Sequence, residues 1–132
     1  METSTHQSFT LDQTFAQLLD DGAARLVDVD PAFWREIGAR THLHPGRLVG
    51  WLRLTADSDH DEVHPAGDEL LILVSGRAEV VLEGQTQHLQ RGRACVVPRG
   101  AWHHLIVQEP GELIFVTPGA GTRTRSRNGG TR

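Results

Sequence analysis

The chain contains no lysine among its 132 residues, and all 13 of its basic side chains are arginines. Acidic residues outnumber the arginines, so the formal net charge is −4 at pH 7. Proteins that bind nucleic acid usually carry a basic surface patch, and this charge balance does not indicate one. We therefore expect no nucleic-acid partner.

Cysteine and long apolar runs are also scarce. The single cysteine, Cys95, excludes an internal disulfide, and its place between Ala94 and Val96 in a predicted buried strand favours a packing role. The chain lacks an apolar segment long enough to span a membrane, and residues 1–4 lack the layout of a signal peptide. We expect a cytoplasmic protein with no membrane association.

Side chains that could bind a metal are concentrated in residues 60–76. In an extended segment His60, Glu62 and His64 alternate with other residues and therefore share one face. A Pro-Ala-Gly turn follows, and Glu69 then opens an apolar run that is typical of a buried strand. A carboxylate at the start of a buried strand requires compensation, and this cluster suits a divalent cation.

A second informative stretch runs from Gly92 to His104. It predicts a turn, a short buried strand, a Pro-Arg-Gly turn and a new strand that delivers His103. On that strand His103 shares a face with Leu105 and Val107, whereas His104 points the other way. Only His103 of the two histidines is therefore expected to reach a metal.

Together the two stretches resemble the two motifs of the cupin family. The first motif is His-x-His, four residues, Glu, six residues and Gly, and the second is Gly, five residues, Pro-x-Gly, two residues and His. Both spacings are kept here, and the motif positions fall on Glu62, His64, Glu69 and Gly76, then on Gly92, Pro98, Gly100 and His103. The sequence departs from the family at Glu62, where a histidine is usual, and at Val107, where the second motif ends in asparagine.

The resemblance implies an all-β cupin double-stranded β-helix, a jelly-roll barrel, over residues 47–118. Short strands separated by turns agree with such a fold. Residues 1–46 are expected to form a helical and extended segment that packs on the barrel. Residues 119–132 are rich in Gly, Thr, Ser and Arg without apolar content, which predicts a disordered tail.

The resemblance also implies a metal site with four ligands: Glu62, His64, Glu69 and His103. Two imidazoles and two carboxylates would admit one divalent Fe, Mn, Zn or Ni ion and argue against Cu(I). If Glu62 does not bind, the other three form a 2-His-1-carboxylate triad and Glu62 is free to act as a general base. A metal-free pocket whose polar groups satisfy one another is the alternative.

Several expectations concern the residues before the barrel. The spacing of apolar residues predicts a helix from Leu11 to Asp21, followed by a short strand from Ala23 to Val29. Asp30-Pro31 predicts a short helical turn through Phe33 and Trp34. His42-Leu43-His44 is a second His-x-His, but no glutamate follows it at the required distance, and we interpret it as a loop.

The following strand, residues 47–55, alternates two sets of side chains, and Trp51 and Arg53 share the face that could line the barrel. A surface or interface face is the alternative for these two residues. Leu70–Val74 is apolar on both faces, so its outer face needs cover. Small cupins commonly pair through such a face, and we expect a homodimer.

The function remains open among three classes. The first is a small metal-dependent enzyme, an oxygenase or an isomerase or cyclase, that acts on a small molecule inside the barrel. The others are a non-catalytic cupin that binds a ligand or metal and an accessory subunit. A partly apolar substrate is expected because Leu71, Leu73, Leu105 and Val107 should line the barrel. A sugar phosphate is disfavoured because lysine and a glycine-rich phosphate loop are both missing.

Overall fold

The protein is an all-β fold with very little helix. The computed structural model describes residues 7–127. Its nine strands are β1 (Thr14–Leu18), β2 (Ala24–Asp28), β3 (Arg47–Leu54), β4 (His60–Val63), β5 (Glu69–Leu82), β6 (Gln85–Gln90), β7 (Ala94–Val97), β8 (His103–Pro118) and β9 (Arg123–Ser126). One helical turn, α1 (Phe33–Glu36), and one 3-10 turn, Thr41–Leu43, lie between β2 and β3.

Strand β8 is the centre of the antiparallel sheet. It pairs with β3 along its second half and with β5 along most of its length. Its first residue, His103, lies opposite Glu62 of β4, and β4 pairs in turn with β9. The resulting strand order is β2-β1-β3-β8-β4-β9, with β5 joining β8 to β6 and β7. The predicted all-β fold is confirmed.

Strands β5 and β8 are the two longest strands and continue through residues that are typical of turns, Gly76 in β5 and Pro110-Gly111 in β8. Their pairing is irregular between Leu73 and Ala78. Gly76 has a φ of +84°, and a Cβ there would lie 2.6 Å from the carbonyl oxygen of Glu109. These glycines therefore allow two long strands to bend while they remain paired.

The residues before β3 close one end of the sheet with an aromatic cluster. The Phe15 ring lies 5.2 Å from that of Phe33 and 5.3 Å from that of Phe115, both edge to face. Gly50 lies beneath this cluster, where a Cβ would come within 2.5 Å of the Phe115 ring. The N-terminal segment thus contributes to the core itself.

The predicted helix over Leu11–Asp21 is wrong, because Thr14–Leu18 is strand β1. The apolar spacing suited a helix, but β1 gains hydrogen-bonded neighbours on both sides, β2 and β3. Phe15 and Gln17 point inward, and Leu18 is 43% exposed. The short strand predicted over Ala23–Val29 is present as β2, and the helical turn at Phe33 as α1.

The prediction of a disordered tail over 119–132 is also wrong in part. Residues Arg123–Ser126 form β9, which pairs with β4 from His60 to Val63. This strand was missed because it has no apolar residue, and its stability comes from pairing and ion pairs. Residues 1–6 and 128–132, which include the ends of the predicted N-terminal and tail segments, lie outside the described residues. Within 7–127, no helix has the length and apolar character needed to cross a membrane.

Candidate metal centre

Four side chains from three strands meet on one wall of the sheet. Glu62 lies on β4 and His64 directly follows it, whereas Glu69 and His103 are the first residues of β5 and β8. The ligand atoms of these four residues all lie within 4.8 Å of one another. The structure therefore brings together every residue of the predicted ligand set.

Two connected turns hold these strand ends in place. The amide of Gly100 donates to the carbonyl of His64 at 3.1 Å, and the amide of Arg99 donates to the Asp68 carboxylate at 2.8 Å. The Pro65–Asp68 turn and the Pro98–Gly100 turn thus bind one another. As expected from the turn signals, the chain reverses between His64 and Glu69, and both side chains face the same space.

Three of the four side chains are deeply buried. The exposed fractions are 3% for His64 and 6% for both Glu69 and His103, but 37% for Glu62. His103 Nε2 lies 3.0 Å from Glu69 Oε1, and His64 Nε2 lies 3.3 Å from Glu62 Oε1 and 3.4 Å from Glu69 Oε2. Glu62 is the one member that solvent or a ligand reaches freely.

The outer nitrogen of each imidazole is held by an oxygen. His103 Nδ1 lies 3.2 Å from the carbonyl of Ala101, which can only accept, so that nitrogen carries the proton. His64 Nδ1 lies 2.9 Å from the hydroxyl of Thr122, which itself donates to the Pro118 carbonyl. Both rings therefore direct Nε2 toward the carboxylates, as metal-binding histidines do.

Two buried polar atoms at the centre of the cluster lack hydrogen bonds. Among the described residues, His64 Nε2 and Glu69 Oε1 have no hydrogen-bond partner. His103 Nε2 is close to Glu69 Oε1, but the contact is not aligned as a hydrogen bond. Lone pairs that face one another in a buried space require a proton or a cation between them. The donor set fits a divalent metal ion.

The pKa values of His64 and Glu69 are shifted by the same cluster of charges. Burial opposes the charged form of His64, but the carboxylates of Glu62 and Glu69 outweigh it and raise the pKa of His64 to about 9. Burial also opposes ionisation of Glu69, yet His103 and His64 lower its pKa to about 2. Without metal, a proton on His64 supplies the positive charge that two carboxylates demand, and metal binding would displace it.

The partly exposed Glu62 continues toward solvent through His60. Glu62 Oε2 lies 3.3 Å from His60 Nε2, and His60 Nδ1 lies 2.7 Å from the Asp59 carboxylate. The hydrogen bond with Asp59 raises the pKa of His60 despite its burial. His60 therefore connects Glu62 to Asp59 at the protein surface.

His104 points away from the cluster, as its position on the strand predicts. Its Nδ1 lies 3.0 Å from Asp61 Oδ1, and Arg125 Nε lies 3.0 Å from the other oxygen of the same carboxylate. The Asp61 carboxylate thus joins β4 to His104 of β8 and to Arg125 of β9 by side-chain contacts. This arrangement supports the site from behind and adds no ligand to it.

A cavity of about 1160 Å³ opens beside the four residues. Most of its remaining wall is apolar and comes from inward-facing residues of β3, β5 and β8 and from the segment before β3. Its larger apolar members are Trp34, Ile37, Leu43, Leu48, Leu52, Leu54, Leu71, Leu105, Leu113 and Phe115. Polar residues of the segment before β4 and of residues 122–126 line the rest of the cavity, among them Ser58, Asp59, Thr124 and Arg125. A pocket with an apolar wall on one side and polar groups on the other is typical of a small-molecule site.

Sequence comparison places the chain in a family. The family model described as Cupin domain matches residues 39–117, more than half of the chain. The chain belongs to the cupin family. No curated protein sequence matches it.

Solved cupin structures share its fold at low sequence identity. A cupin-2 domain-containing protein from Shewanella frigidimarina is 22% identical, with a TM-score of 0.50 over 55% of this chain and 70% of that chain. Salicylate 1,2-dioxygenase from Pseudoaminobacter salicylatoxidans, in adducts with gentisate, is 20% identical, with a TM-score of 0.52. That match covers 61% of this chain and only 24% of the dioxygenase.

The structure decides between the alternatives for Trp51 and Arg53 and corrects part of the expected cavity lining. The opposite face of β3 lines the cavity, so the surface alternative holds, and both side chains donate to the Glu112 carboxylate on the outside at 2.9 and 3.0 Å. Leu73 lies in the core, and Val107 is also absent from the wall formed by the described residues.

Sequence reasoning also missed two contributors to the cavity wall. His44 lines the cavity, and its Nε2 bonds to the Ile37 carbonyl at 2.8 Å. The only sequence feature that pointed to His44 was the second His-x-His motif. The structure places this motif beside the cavity and outside the four-residue cluster. Thr122 and the strand after it carried no signal that could have been read from composition.

Proposed function

We propose that this cupin binds one divalent metal ion through Glu62, His64, Glu69 and His103 and catalyses a metal-dependent reaction on a small, partly apolar organic molecule. The observation that carries the proposal is the buried pair of atoms without hydrogen-bond partners, His64 Nε2 and Glu69 Oε1, in a cavity wall. A buried unsatisfied nitrogen and carboxylate oxygen are costly unless a cation joins them.

The donor set favours Fe(II), Mn(II), Zn(II) or Ni(II). Two imidazole nitrogens and two carboxylate oxygens are ligands that these ions accept, whereas Mg²⁺ and Ca²⁺ prefer sites of oxygen atoms. Two carboxylates also neutralise the charge of a divalent ion. Once bound, such an ion would act as a Lewis acid, and iron would add oxygen chemistry.

Side chains around the metal would supply proton transfer and substrate binding. Glu62 is the most exposed of the four, and its link to His60 gives a route for a proton between the site and solvent. The leucines of β3 and β8 would bind the apolar part of the substrate and exclude water. Glu62 is therefore the candidate general base, whether it remains a ligand or leaves the metal during the reaction.

An oxygenase is the form of this proposal that we favour. A triad of His64, Glu69 and His103 is the 2-His-1-carboxylate arrangement associated with non-haem iron. The dioxygenase that shares the fold forms adducts with gentisate, so small aromatic acids are the first compounds to test. The apolar wall suits an aromatic ring, and an isomerase or cyclase would use the same cavity with a metal that is not redox-active.

We also propose that the protein is a homodimer. The outward-facing residues of four neighbouring strands form two apolar rows, which we name the outer patch. One row is Val96, Leu70, Val116 and Val49, and the other is Ala94, Ile72, Ile114 and Trp51. Val96 is 55% exposed in the single chain, and a second copy would cover this face.

The first experiment measures the metal content of protein purified without an affinity tag. We expect about one equivalent of Fe, Mn, Zn or Ni per chain, because the four donors form one closed group. Glu69→Gln should lose the metal, since it removes charge from the buried ligand between both histidines. Glu83→Ala, on an exposed hairpin, is the control and should retain it.

Glu62→Ala separates the two roles of Glu62. Loss of metal in this variant would support four ligands, and retention of metal with loss of turnover would support a base. Tight binding of small aromatic acids without turnover would favour a non-catalytic binding protein. Failure of the wild-type protein to take up any of the four metals after reconstitution would overturn the metal proposal and leave an accessory role.

A further inference from the structure

The C-terminal segment, residues 119–127, reaches the metal cluster although it lies beyond the region of the cupin match. After Pro118 the chain turns, with the amide of Thr122 bonded to the carbonyl of Gly119 at 3.2 Å. Gly121 has a φ of +74°, and a Cβ there would lie 3.0 Å from the Pro65 ring. The turn therefore packs on the proline that follows His64.

Thr122 contacts a proposed ligand directly. Its hydroxyl oxygen lies 2.9 Å from His64 Nδ1, and the same hydroxyl donates to the Pro118 carbonyl at 3.4 Å. Because its own proton is directed at Pro118, the oxygen is free to accept the N–H of the imidazole. This acceptance leaves a lone pair on Nε2, the nitrogen that faces Glu62 and Glu69.

Three contacts keep Thr122 in this position. Strand β9 pairs with β4, and Thr124 lies opposite Glu62. Arg125 bonds to Asp61 at 3.0 Å and covers the Trp102 ring at 4.1 Å. Beyond the strand, Arg127 donates to the Ser58 carbonyl at 2.8 Å. The segment is therefore held along β4, the strand that carries Glu62, and at Ser58, which precedes that strand.

We infer that Thr122 is a positioning residue that fixes the ring orientation and tautomer of His64 for metal binding, and that residues 119–127 complete the metal site. This inference rests on the proposed metal site. Hydrogen bonds to the outer nitrogen of a metal-binding histidine typically account for 10- to 100-fold in metal affinity. His103 receives the equivalent support from Ala101, within the matched region.

The test compares Co(II) affinity, followed by the visible absorption of the bound ion, in three full-length variants. Thr122→Val keeps the shape of the side chain and removes the hydroxyl, so we expect its affinity to fall about tenfold or more. Thr122→Ser restores the hydroxyl and should bind close to the wild type. Thr86→Val, at an exposed position of β6, controls for loss of a threonine and should not change affinity.

Circular dichroism and thermal unfolding of each metal-free variant show whether it is folded. A folded Thr122→Val protein with wild-type affinity for Co(II) would overturn the role of Thr122 alone and leave the metal site intact. An affinity loss that Thr122→Ser does not rescue would also overturn it, because the methyl group or packing would then be responsible. Absence of Co(II) binding in the wild type would overturn the metal site and this inference together.

A shortened chain tests the segment as a whole. A protein that ends at Pro118 should bind Co(II) more weakly than one that ends at Arg127, which retains every contact described above. Equal affinity of the two folded proteins would overturn the part assigned to residues 119–127. If the shorter protein does not fold, Thr122→Val decides the inference, because it removes a single hydroxyl and leaves β9 in place.

Discussion

The protonation state of His64 is set by two opposing effects. Its burial disfavours a charge, and two carboxylates within 3.4 Å demand one. The carboxylates prevail and the imidazole is protonated in the metal-free protein, whereas a metal ion would replace that proton. The Nε2 atom of His64 can therefore bind either a proton or a metal ion. The balance between the two depends on pH, because metal binding requires the unprotonated nitrogen.

This balance predicts the pH dependence of stability in the metal-free protein. The pKa of His64 is raised from 6.5 to about 9, so its contribution to folding is fully present below 6.5 and is lost as the pH rises through about 9. The pKa of Glu69 is lowered from 4.5 to about 2, so its contribution is present above 4.5 and is lost as the pH falls through about 2. Stability is expected to be highest between 4.5 and 6.5.

Urea unfolding in the presence of a chelator, from pH 5 to 10, checks this expectation. Between pH 7 and 9 the free energy of unfolding should fall by at most about 1.4 kcal/mol per pH unit, the limit for one proton. Added metal should reduce this slope, because the ion takes the place of the proton. A stability that stays level or rises over this range would contradict the assignment to His64.

At the scale of elements, one buried side chain, Gln17, connects β1 to the loop before β3. Gln17 is fully buried, and its amide donates to the carbonyls of His42 and Pro45 at 3.1 and 2.9 Å. It therefore connects β1 to the loop that carries the cavity residues Leu43 and His44. A hydrophobic residue at this position would remove the donor of both hydrogen bonds.

Gln17→Leu should accordingly lower the free energy of unfolding by about 1–3 kcal/mol, because it removes two hydrogen bonds that contribute about 0.5–1.5 kcal/mol each. Urea denaturation at fixed pH measures the change. Gln13→Leu is the matched control, since this side chain is exposed on the same segment, and its effect should stay within about 0.5 kcal/mol. Equal stability of the two variants would show that Gln17 does not hold the loop.

The same elements show which parts of the fold the sequence could predict. The convergence of Glu62, His64, Glu69 and His103 was predictable because their spacing matches the two cupin motifs. Three of them, His64, Glu69 and His103, also follow or begin a strand next to a local turn signal. Strand β1 was not, because a spacing of apolar residues that suits a helix also suits a strand whose neighbours are far away in the chain. Strand β9 was missed for a related reason, since Arg123–Ser126 has no apolar pattern and depends on Asp61 and Trp102.

At the scale of the whole molecule, residues 7–127 form an apolar surface on each face of the central strands. One lines the cavity, and the other is the outer patch on the reverse of the same strands β3, β5, β7 and β8. Because side chains alternate along a strand, Leu71 and Phe115 face the cavity whereas Ile72 and Ile114 face outward. At the edge of the patch Glu112 pairs with Trp51 and Arg53, which provides a polar rim. An apolar centre with such a rim is typical of a protein interface.

We therefore predict that the outer patch buries itself against a second copy related by a two-fold axis. Ile72→Glu would place a charge at its centre, where two copies bring like charges together in a desolvated space. Light scattering should report a dimer of the 14.6 kDa chain for the wild type and a monomer for Ile72→Glu. Thr86→Glu, outside the patch, should remain a dimer. A monomeric wild type, or a dimer that survives Ile72→Glu, would show that this face is not the interface. Ile72→Glu should bind as much metal as the wild type, since Ile72 is not one of the four clustered residues and its side chain faces outward.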